Sequence, residues 1–378
     1  MSAVDGTLRV VIAGGGTGGH LFPALAIAEA LRRLNPAVEI VFCGSDRGIE
    51  RERVPASGFP LVTFPVRGLG RKGAFWKNGV VILGFLRALA AAIGWLRSFR
   101  PRIVLGTGGY SSAPAVVGAI LCRVPVVLQE QNCRPGLVTR LLSRWACEVY
   151  VSFEESPRFL ARPKRAVVVG NPVRPGIQRI PKEAARASFG FDPQRPVVLV
   201  FGGSQGARRI NEVLLAGLPG LLERTEAVFL WGTGPTHFQN VKERLAQIPQ
   251  AAGRVLAMPF IEDMARAYSA CELAVCRAGA TTLAELTALG VPSLLVPYPY
   301  AAEDHQALNA RALAARGAAV VIPEKDLTGE RLAGTIEELL SRPDRLQAMA
   351  RAAAALARPQ AAETIADRIL SLVAGSQN

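Results

Sequence analysis

The chain lacks most of what would tie it to an oxidising compartment or to a metal. Its 378 residues include six cysteines, at 43, 122, 133, 147, 271 and 276, and no C-x-x-C pair. Reduced thiols in a cytosolic protein are therefore expected, rather than a disulfide framework or a zinc site. No D-x-D pair occurs anywhere, so there is no obvious seat for a metal bridging a diphosphate, and neither metal nor cofactor is expected. Aromatics are 6% of the chain, and no aromatic-rich basic face or recognised binding motif accompanies the net charge of +14. No nucleic-acid partner is expected. No secretory signal precedes the apolar segment Leu8–Ala13, which predicts that the chain stays inside. Half of the residues are hydrophobic, which excludes disorder as the main state, and the length suits two domains.

One absence is local and long. From Val54 to Gln129 there is no Asp or Glu, while Arg67, Arg71, Lys72, Lys77, Arg87, Arg97, Arg100, Arg102 and Arg123 all fall inside that run. Interleaved with them is an apolar stretch from Val80 to Leu86, continuing after Arg87 to Ile93, Trp95 and Leu96. Cations flanking an apolar, Trp-bearing helix suit an anionic lipid surface, where each contributes about 1 kcal/mol. A spanning helix needs ~20 apolar residues; this one reads as short and carries Arg87 near its middle. The plainer alternative is a core-facing helix with a solvated basic rim.

What is present alternates short Val/Ile/Leu-rich strands with Ala/Leu-rich helices, the pattern of βαβ units and parallel sheets. Strands are predicted at 8–13, 38–43, 103–106, 124–128, 149–152 and 167–169, and again at 197–201, 228–231, 255–258, 273–276, 293–296 and 319–322. The Pro-rich stretch from Asn171 to Gly176 is the best linker candidate. Each half opens on a strand, a glycine turn and a helix: Gly14-Gly-Gly-Thr-Gly-Gly-His20 in the first, Gly202-Gly-Ser-Gln-Gly-Ala207 in the second. Two Rossmann-like domains facing one another would place a cleft at the carboxyl ends of both sheets.

Glycines directly after a strand let backbone approach an anion, and the following helix offers free N–H groups, so a pyrophosphate is the natural guest. Gly14, Gly16 and Gly19 match G-x-G-x-x-G, with Asp46 loosely placed for a ribose, so a nicotinamide-dependent oxidoreductase is an alternative. That fingerprint alone is weak, and two further glycine loops, Gly106-Thr-Gly-Gly109 and Gly202–Gly206, stand against it. Polar runs follow other strands: Gln129-Glu-Gln-Asn132, Arg277–Glu285 and Asp304-His-Gln306.

Seven motifs in order make the pattern specific. Gly15-Gly-Thr-Gly-Gly-His20, Gly108-Gly-Tyr110, Glu130-Gln-Asn132, Asn171-Pro-Val-Arg174, Gly202-Gly-Ser-Gln-Gly-Ala207, Gly279-Ala-Thr-Thr-Leu-Ala-Glu285 and Asp304-His-Gln306 together resemble the MurG family, the bacterial transferases that complete the lipid-linked peptidoglycan precursor. The resemblance runs from residue 8 to about 320. It implies the GT-B fold: an acceptor and membrane-associated domain over 1–172, a donor domain over 173–352, and a final helix over 353–378 returning to the first. It implies inverting transfer of N-acetylglucosamine from UDP-N-acetylglucosamine to an undecaprenyl-linked muramoyl-pentapeptide acceptor, lipid I to lipid II. The expected workplace is peripheral, at the cytoplasmic side of the inner membrane. Another GT-B transferase with a different acceptor is the nearest alternative.

The resemblance also implies site roles. Thr17, Gly18, Gly19 and Asn132 approach the donor from the first domain, and Arg174 and Ser204 lie toward the diphosphate. The Ile261 backbone reads the uracil, Ala280, Thr281, Thr282, Leu283, Ala284 and Glu285 cradle the nucleotide, and Gln306 addresses the sugar hydroxyls. Arg suits phosphate through its planar fork. His20 and Glu130 are the two candidates for the base that takes the acceptor's proton, His20 preferred. A helix N-terminus favours the neutral imidazole a base needs, and a carboxylate at a strand end is the second choice. For Glu285 a plainer reading exists as well, since Thr282-Leu-Ala-Glu285 has the form of a capping box.

Overall fold

The computed structural model describes residues 8–66, 75–174, 176–203 and 205–375, with residues 75–80 as helix backbone. Ser204, Arg67, Arg71, Lys72 and the Lys77 side chain lie outside the described residues. The chain divides into two compact units, 1–175 together with 358–378, and 176–357.

In the first unit, apolar strands buried on both faces build an all-parallel sheet, as strands without polar alternation do. They are β1 (Arg9–Ala13), β2 (Glu39–Ser45), β3 (Leu61–Phe64), β4 (Ile103–Gly106), β5 (Val126–Glu130), β6 (Glu148–Val151) and β7 (Ala166–Val168), in the order β3-β2-β1-β4-β5-β6-β7. The second unit holds β8 (Val197–Phe201), β9 (Val228–Gly232), β10 (Val255–Met258), β11 (Leu273–Cys276), β12 (Ser293–Leu295) and β13 (Ala319–Val321), in the order β10-β9-β8-β11-β12-β13. Both are doubly wound Rossmann-type sheets, and together they make the GT-B class. In each the order reverses beside the first strand, between β1 and β4 and between β8 and β11. Crossovers leave in opposite directions there, so the loops after those strands diverge and leave room for a ligand.

The strand β3 has no counterpart in the sequence reading. It is a four-residue edge strand between Pro60 and Pro65, with Thr63 exposed and Leu61 and Val62 half-buried. An edge strand has one ladder and one covered face, so its apolar signal is weak. None of the six cysteines is disulfide-bonded, and Cys43, Cys133, Cys271 and Cys276 are buried.

The helix Phe75–Phe99 is longer than its sequence suggests. Ala88, Ala92 and Leu96, spaced four apart, pack into the core of the first unit, while Ile82, Leu83 and Leu86 are exposed.

The chain re-enters the first unit at Arg358, where Gly170 with φ +89° is required: a Cβ there would stand 2.3 Å from the Arg358 Cβ. The final helix, Ala361–Gly375, lies on the helix Gly18–Leu34 and buries Ile365, Ala366 and Ile369 in the same core as Ile27 and Leu31. A bidentate pair clasps it to β6, with Arg368 Nε 2.8 Å and Nη2 2.5 Å from the two Glu148 oxygens. Arg368 holds the Glu148 carboxyl below its ordinary value of 4.5. A carboxyl depressed by folding adds stability above its unfolded value and loses it as pH falls through the folded one. Arg368→Ala is expected to lower the melting temperature by about 2–4 °C at neutral pH, on the order of 1 kcal/mol for a partly exposed pair. The parent's advantage should shrink below about pH 4.5. An advantage independent of pH would assign Arg368 to packing alone.

Candidate active site

At the reversal in the first unit, β1 runs into Gly14–Gly16 and then the helix Gly18–Leu34, with Thr17 as its N-cap. The loop was expected to cradle an external phosphate, but its inner side holds an anion of the chain itself. Glu50 is 0% exposed, and its carboxylate accepts from the Gly16 N–H, the Ser45 N–H and the Ser45 hydroxyl, each at 2.8 Å. A Cβ at Gly15, Gly44 or Gly48 would approach that side chain to 2.4, 2.7 and 1.9 Å. The glycines are there to admit a carboxylate. Glu50 takes the Gly16 N–H that a dinucleotide pyrophosphate would use, which counts against the oxidoreductase reading, and Asp46 engages Arg51 through its backbone carbonyl. Only the outer side remains open: Thr17 and Gly19 are exposed and Gly18 half-exposed, and the Thr17 side chain makes no cap bond.

His20, in the first turn of that helix, lies on the third glycine loop. Cβ atoms at Gly108 (φ +89°) and Gly109 (φ +76°) would each stand 3.1 Å from its ring. Its Nδ1 is 3.1 Å from the Thr107 carbonyl and 2.9 Å from Gln131 Oε1. Both partners are acceptors, so Nδ1 carries a proton and Nε2 is the nitrogen left to take one.

Glu130, the other candidate base, has both carboxylate oxygens engaged by donors of its own loop. It is 2% exposed; Oε1 accepts from the Asn132 N–H at 3.0 Å and the Asn132 side-chain amide at 3.3 Å, and Oε2 from the Gly136 N–H at 2.9 Å. The carboxylate anchors the loop after β5 and thereby places Asn132. Arg174 lies over the Phe22 ring at 5.4 Å, and Phe22 in turn borders Gly18, where a Cβ would meet it at 2.8 Å.

At the reversal in the second unit, a cavity of about 540 Å³ opens at the carboxyl ends of β8 and β11. Gly202, Gly203 and Gly206 form one wall. Gly206 (φ +77°) must be glycine, because a Cβ would stand 2.1 Å from the Thr233 carbonyl oxygen. Of the expected site residues, Thr282 and Gln306 line the cavity, Gln306 Oε1 accepting the Tyr298 N–H at 3.0 Å. Ser204 belongs to this loop in sequence but lies outside the described residues.

Ala280–Glu285 are the first six residues of the helix Ala280–Ala288. Because Gly279 is its N-cap, Thr282 is already inside the helix and the capping box does not form. Glu285 instead sits a turn deeper, 2% exposed, accepting the Tyr268 hydroxyl hydrogen at 2.9 Å. Leu283 faces the core, Ala280 is buried and Ala284 half-buried, while the buried Thr281 Oγ1 has no hydrogen-bond partner among the described residues. Ile261 is buried, its Cδ1 3.2 Å from where a Gly232 Cβ would stand.

Arg277 entered the sequence reading only as the start of a polar run and was given no role of its own. Its Nη1 donates to the Val296 and Pro297 carbonyls at 3.1 and 3.3 Å, Nη2 is 2.5 Å from Glu324, and the Tyr298 ring lies 5.4 Å away. It ties three loops into the cavity floor. The only signal was a basic residue straight after a buried strand. Arg208 and Arg209 also line the cavity and were not singled out.

Two family models match, the glycosyltransferase family 28 N-terminal domain over residues 10–151 and the family 28 C-terminal domain over residues 197–365. The chain is 40% identical over 368 residues to a Desulforudis audaxviator protein, covering 97% of this chain and 98% of that one. It is 43% identical over 372 residues to a Chlorobaculum tepidum protein, covering 97% and 99%. Both relatives are named UDP-N-acetylglucosamine–N-acetylmuramyl-(pentapeptide) pyrophosphoryl-undecaprenol N-acetylglucosamine transferase. The crystal structure of Acinetobacter baumannii MurG superposes with a TM-score of 0.76 at 29% identity, covering 96% of this chain and 99% of that one.

The buried carboxylate of the first loop can be tested by its removal. Glu50→Ala strands the Gly16 and Ser45 N–H groups, each unsatisfied donor costing about 1–3 kcal/mol. Urea unfolding is expected to show a loss of about 2–4 kcal/mol. A loss below about 0.5 kcal/mol would mean that the loop does not depend on the carboxylate.

Proposed function

The chain belongs to glycosyltransferase family 28, and from that we infer that it transfers N-acetylglucosamine from UDP-N-acetylglucosamine to the muramoyl sugar of undecaprenyl-pyrophosphoryl-N-acetylmuramoyl-pentapeptide. This is the step from lipid I to lipid II in peptidoglycan synthesis. Identity of 40–43% over nearly the whole of both chains carries the assignment. The cavity of about 540 Å³ is of the size that takes a nucleotide-sized ligand.

In this reading the base is His20. The acceptor hydroxyl attacks the anomeric carbon of the donor sugar as Nε2 takes its proton, and the bond from that carbon to the diphosphate oxygen breaks with its electron pair leaving on UDP. Attack opposite the leaving group inverts the anomeric centre. The orientation of the imidazole supports the role, because both neighbours of Nδ1 are acceptors. Thr17, Gly18, Gly19, Asn132 and Arg174 are the first unit's substrate contacts. Ser204, the Ile261 backbone, Ala280–Glu285 and Gln306 are the second unit's donor contacts. The departing UDP is stabilised by N–H groups and cationic side chains. The lack of a D-x-D pair in the sequence is the ground for reading the reaction as metal-independent. A preorganised donor aimed at developing charge is worth roughly 3–4 kcal/mol.

The protein works as a peripheral one on the cytoplasmic side of the membrane, resting the helix Phe75–Phe99 on anionic lipid. Its stretch Val81–Phe99 has mean hydropathy 1.5 and passes for a membrane span by length and composition. With Ala88, Ala92 and Leu96 locked in the core, it is suited to lie along a surface rather than to cross. Ile82, Leu83 and Leu86 are 56%, 51% and 53% exposed, and Arg87 is exposed beside them, the amphipathic arrangement of an interfacial helix.

UDP release from UDP-N-acetylglucosamine should require the lipid acceptor and persist in excess EDTA; release that stops on chelation and returns with Mg²⁺ overturns metal independence. Glu285→Gln keeps an acceptor for the Tyr268 hydroxyl but removes the anion proposed to accept the ribose hydroxyls. Its melting temperature should hardly change, while UDP affinity falls by about 1.5–3 kcal/mol, roughly 10- to 150-fold. Equal affinity would leave Glu285 with a structural role and no part in binding UDP. Leu83→Glu combined with Leu86→Glu should release the protein from anionic liposomes with activity on a short-chain acceptor little changed. Unaltered sedimentation with the liposomes would reduce the apolar stripe to ordinary surface.

A further inference from the structure

Behind His20 stands a chain of buried amides that the reaction scheme does not use. Gln131 Nε2 donates to the Thr107 carbonyl at 2.8 Å and to Gln129 Oε1, while its Oε1 faces His20 Nδ1 at 2.9 Å. Gln129 Nε2 donates onward to Asn171 Oδ1 at 3.2 Å. Thr107, Gln129 and Gln131 are fully or almost fully buried, and Asn171 nearly so.

The direction of this chain is forced at one point. A backbone carbonyl only accepts, so Gln131 must turn its NH₂ to Thr107 and its oxygen to the imidazole. Turning the amide over would set its oxygen against both the Thr107 carbonyl and Gln129 Oε1, leaving buried acceptors facing one another at a cost of about 1–3 kcal/mol each. Thr107 is itself held, its N–H donating to the Ala13 carbonyl at 2.9 Å and its hydroxyl to the His20 carbonyl at 3.0 Å.

We propose that Gln131, braced by Gln129 and Asn171, is a positioning residue that locks His20 with its proton on Nδ1, so that Nε2 carries the lone pair. The relay starts at Asn171, in the Asn-Pro-Val-Arg segment through which the chain leaves the first unit. It therefore ties the orientation of the imidazole to the setting of that segment. The catalytic consequence rests on His20 being the base; the tautomer does not.

The test is nitrogen NMR on protein carrying ¹⁵N-labelled histidine, with the three histidines assigned by single substitution. Neutral His20 is expected to show the Nδ1–H signature in the unaltered protein. Gln131→Leu leaves the Thr107 carbonyl as the sole acceptor at Nδ1; it should weaken the Nδ1–H signature and lower kcat by about 10–100-fold, up to the roughly 100-fold at which the contribution of a general base begins, with UDP affinity within about twofold. Gln129→Leu, one step back, should show the same change more weakly, and it serves if Gln131→Leu fails to fold. A proton on Nε2 in the unaltered protein overturns the proposal, as does a spectrum unmoved by both substitutions. If the Nδ1–H form is found but His20→Ala keeps kcat within about tenfold, the lock stands and the assignment of the base falls.

Discussion

A parallel sheet that winds both ways has one seam where neighbouring strands send their crossovers in opposite directions. The two units are organised around that seam. In the first, β1 and β4 bring the Gly14–Gly16 loop beside Thr107–Gly109; in the second, β8 and β11 bring Gly202–Gly206 beside Arg277–Thr282. No side chain need be carved away to make room, because the divergence of the loops already provides it. Everything chemical in the molecule then depends on what each seam is filled with.

The two seams are filled differently despite nearly the same sequence signature. In the second unit the glycines allow loop backbones to touch, Gly206 against Thr233 and Gly234 against Gln205, and the space beyond stays open. In the first unit three glycines instead close around Glu50, which satisfies the Gly16 and Ser45 donors that an external anion would otherwise meet. A carboxylate and a phosphate oxygen make the same demand on backbone N–H groups. The glycine pattern therefore announces an anion site without saying whether the anion is a ligand or a side chain. The consequence is a first loop tied to Glu50 and leading into the helix that carries His20.

The same economy of acceptors runs through the rest of the first site. Glu130 spends both oxygens on the loop after β5, and Gln131 spends both of its hydrogens on Thr107 and Gln129. With these bonds made, His20 Nδ1 lies against two acceptors, the Thr107 carbonyl and Gln131 Oε1. Burial rather than charge sets the arrangement: groups with no water to bond must find each other, and few combinations satisfy all of them.

The sequence by itself determined the class of fold and the places where chemistry gathers. Strands such as Ile103–Gly106, Val197–Phe201 and Leu273–Cys276 were legible because buried parallel strands are short continuous apolar runs, and their shortness with glycine or polar residues beyond them favours strand over helix. The motifs after those strands were legible because glycine and polar residues at strand ends are conspicuous. Tertiary structure alone decided the rest. It placed β3, whose edge position leaves little apolar signal, and it chose Ile365 and Ile369 as the residues by which the returning helix enters the core of the first unit. It started the helix at Ala280, so that Glu285 became Tyr268's partner instead of a cap, and it engaged both oxygens of Glu130 in the loop after β5. The physical reason is the same in each case. Local pattern records what a residue is able to do, whereas a buried polar group's role depends on which donor or acceptor the fold brings within 3 Å of it, from residues as distant as Glu50 from Gly16 or Gln131 from His20.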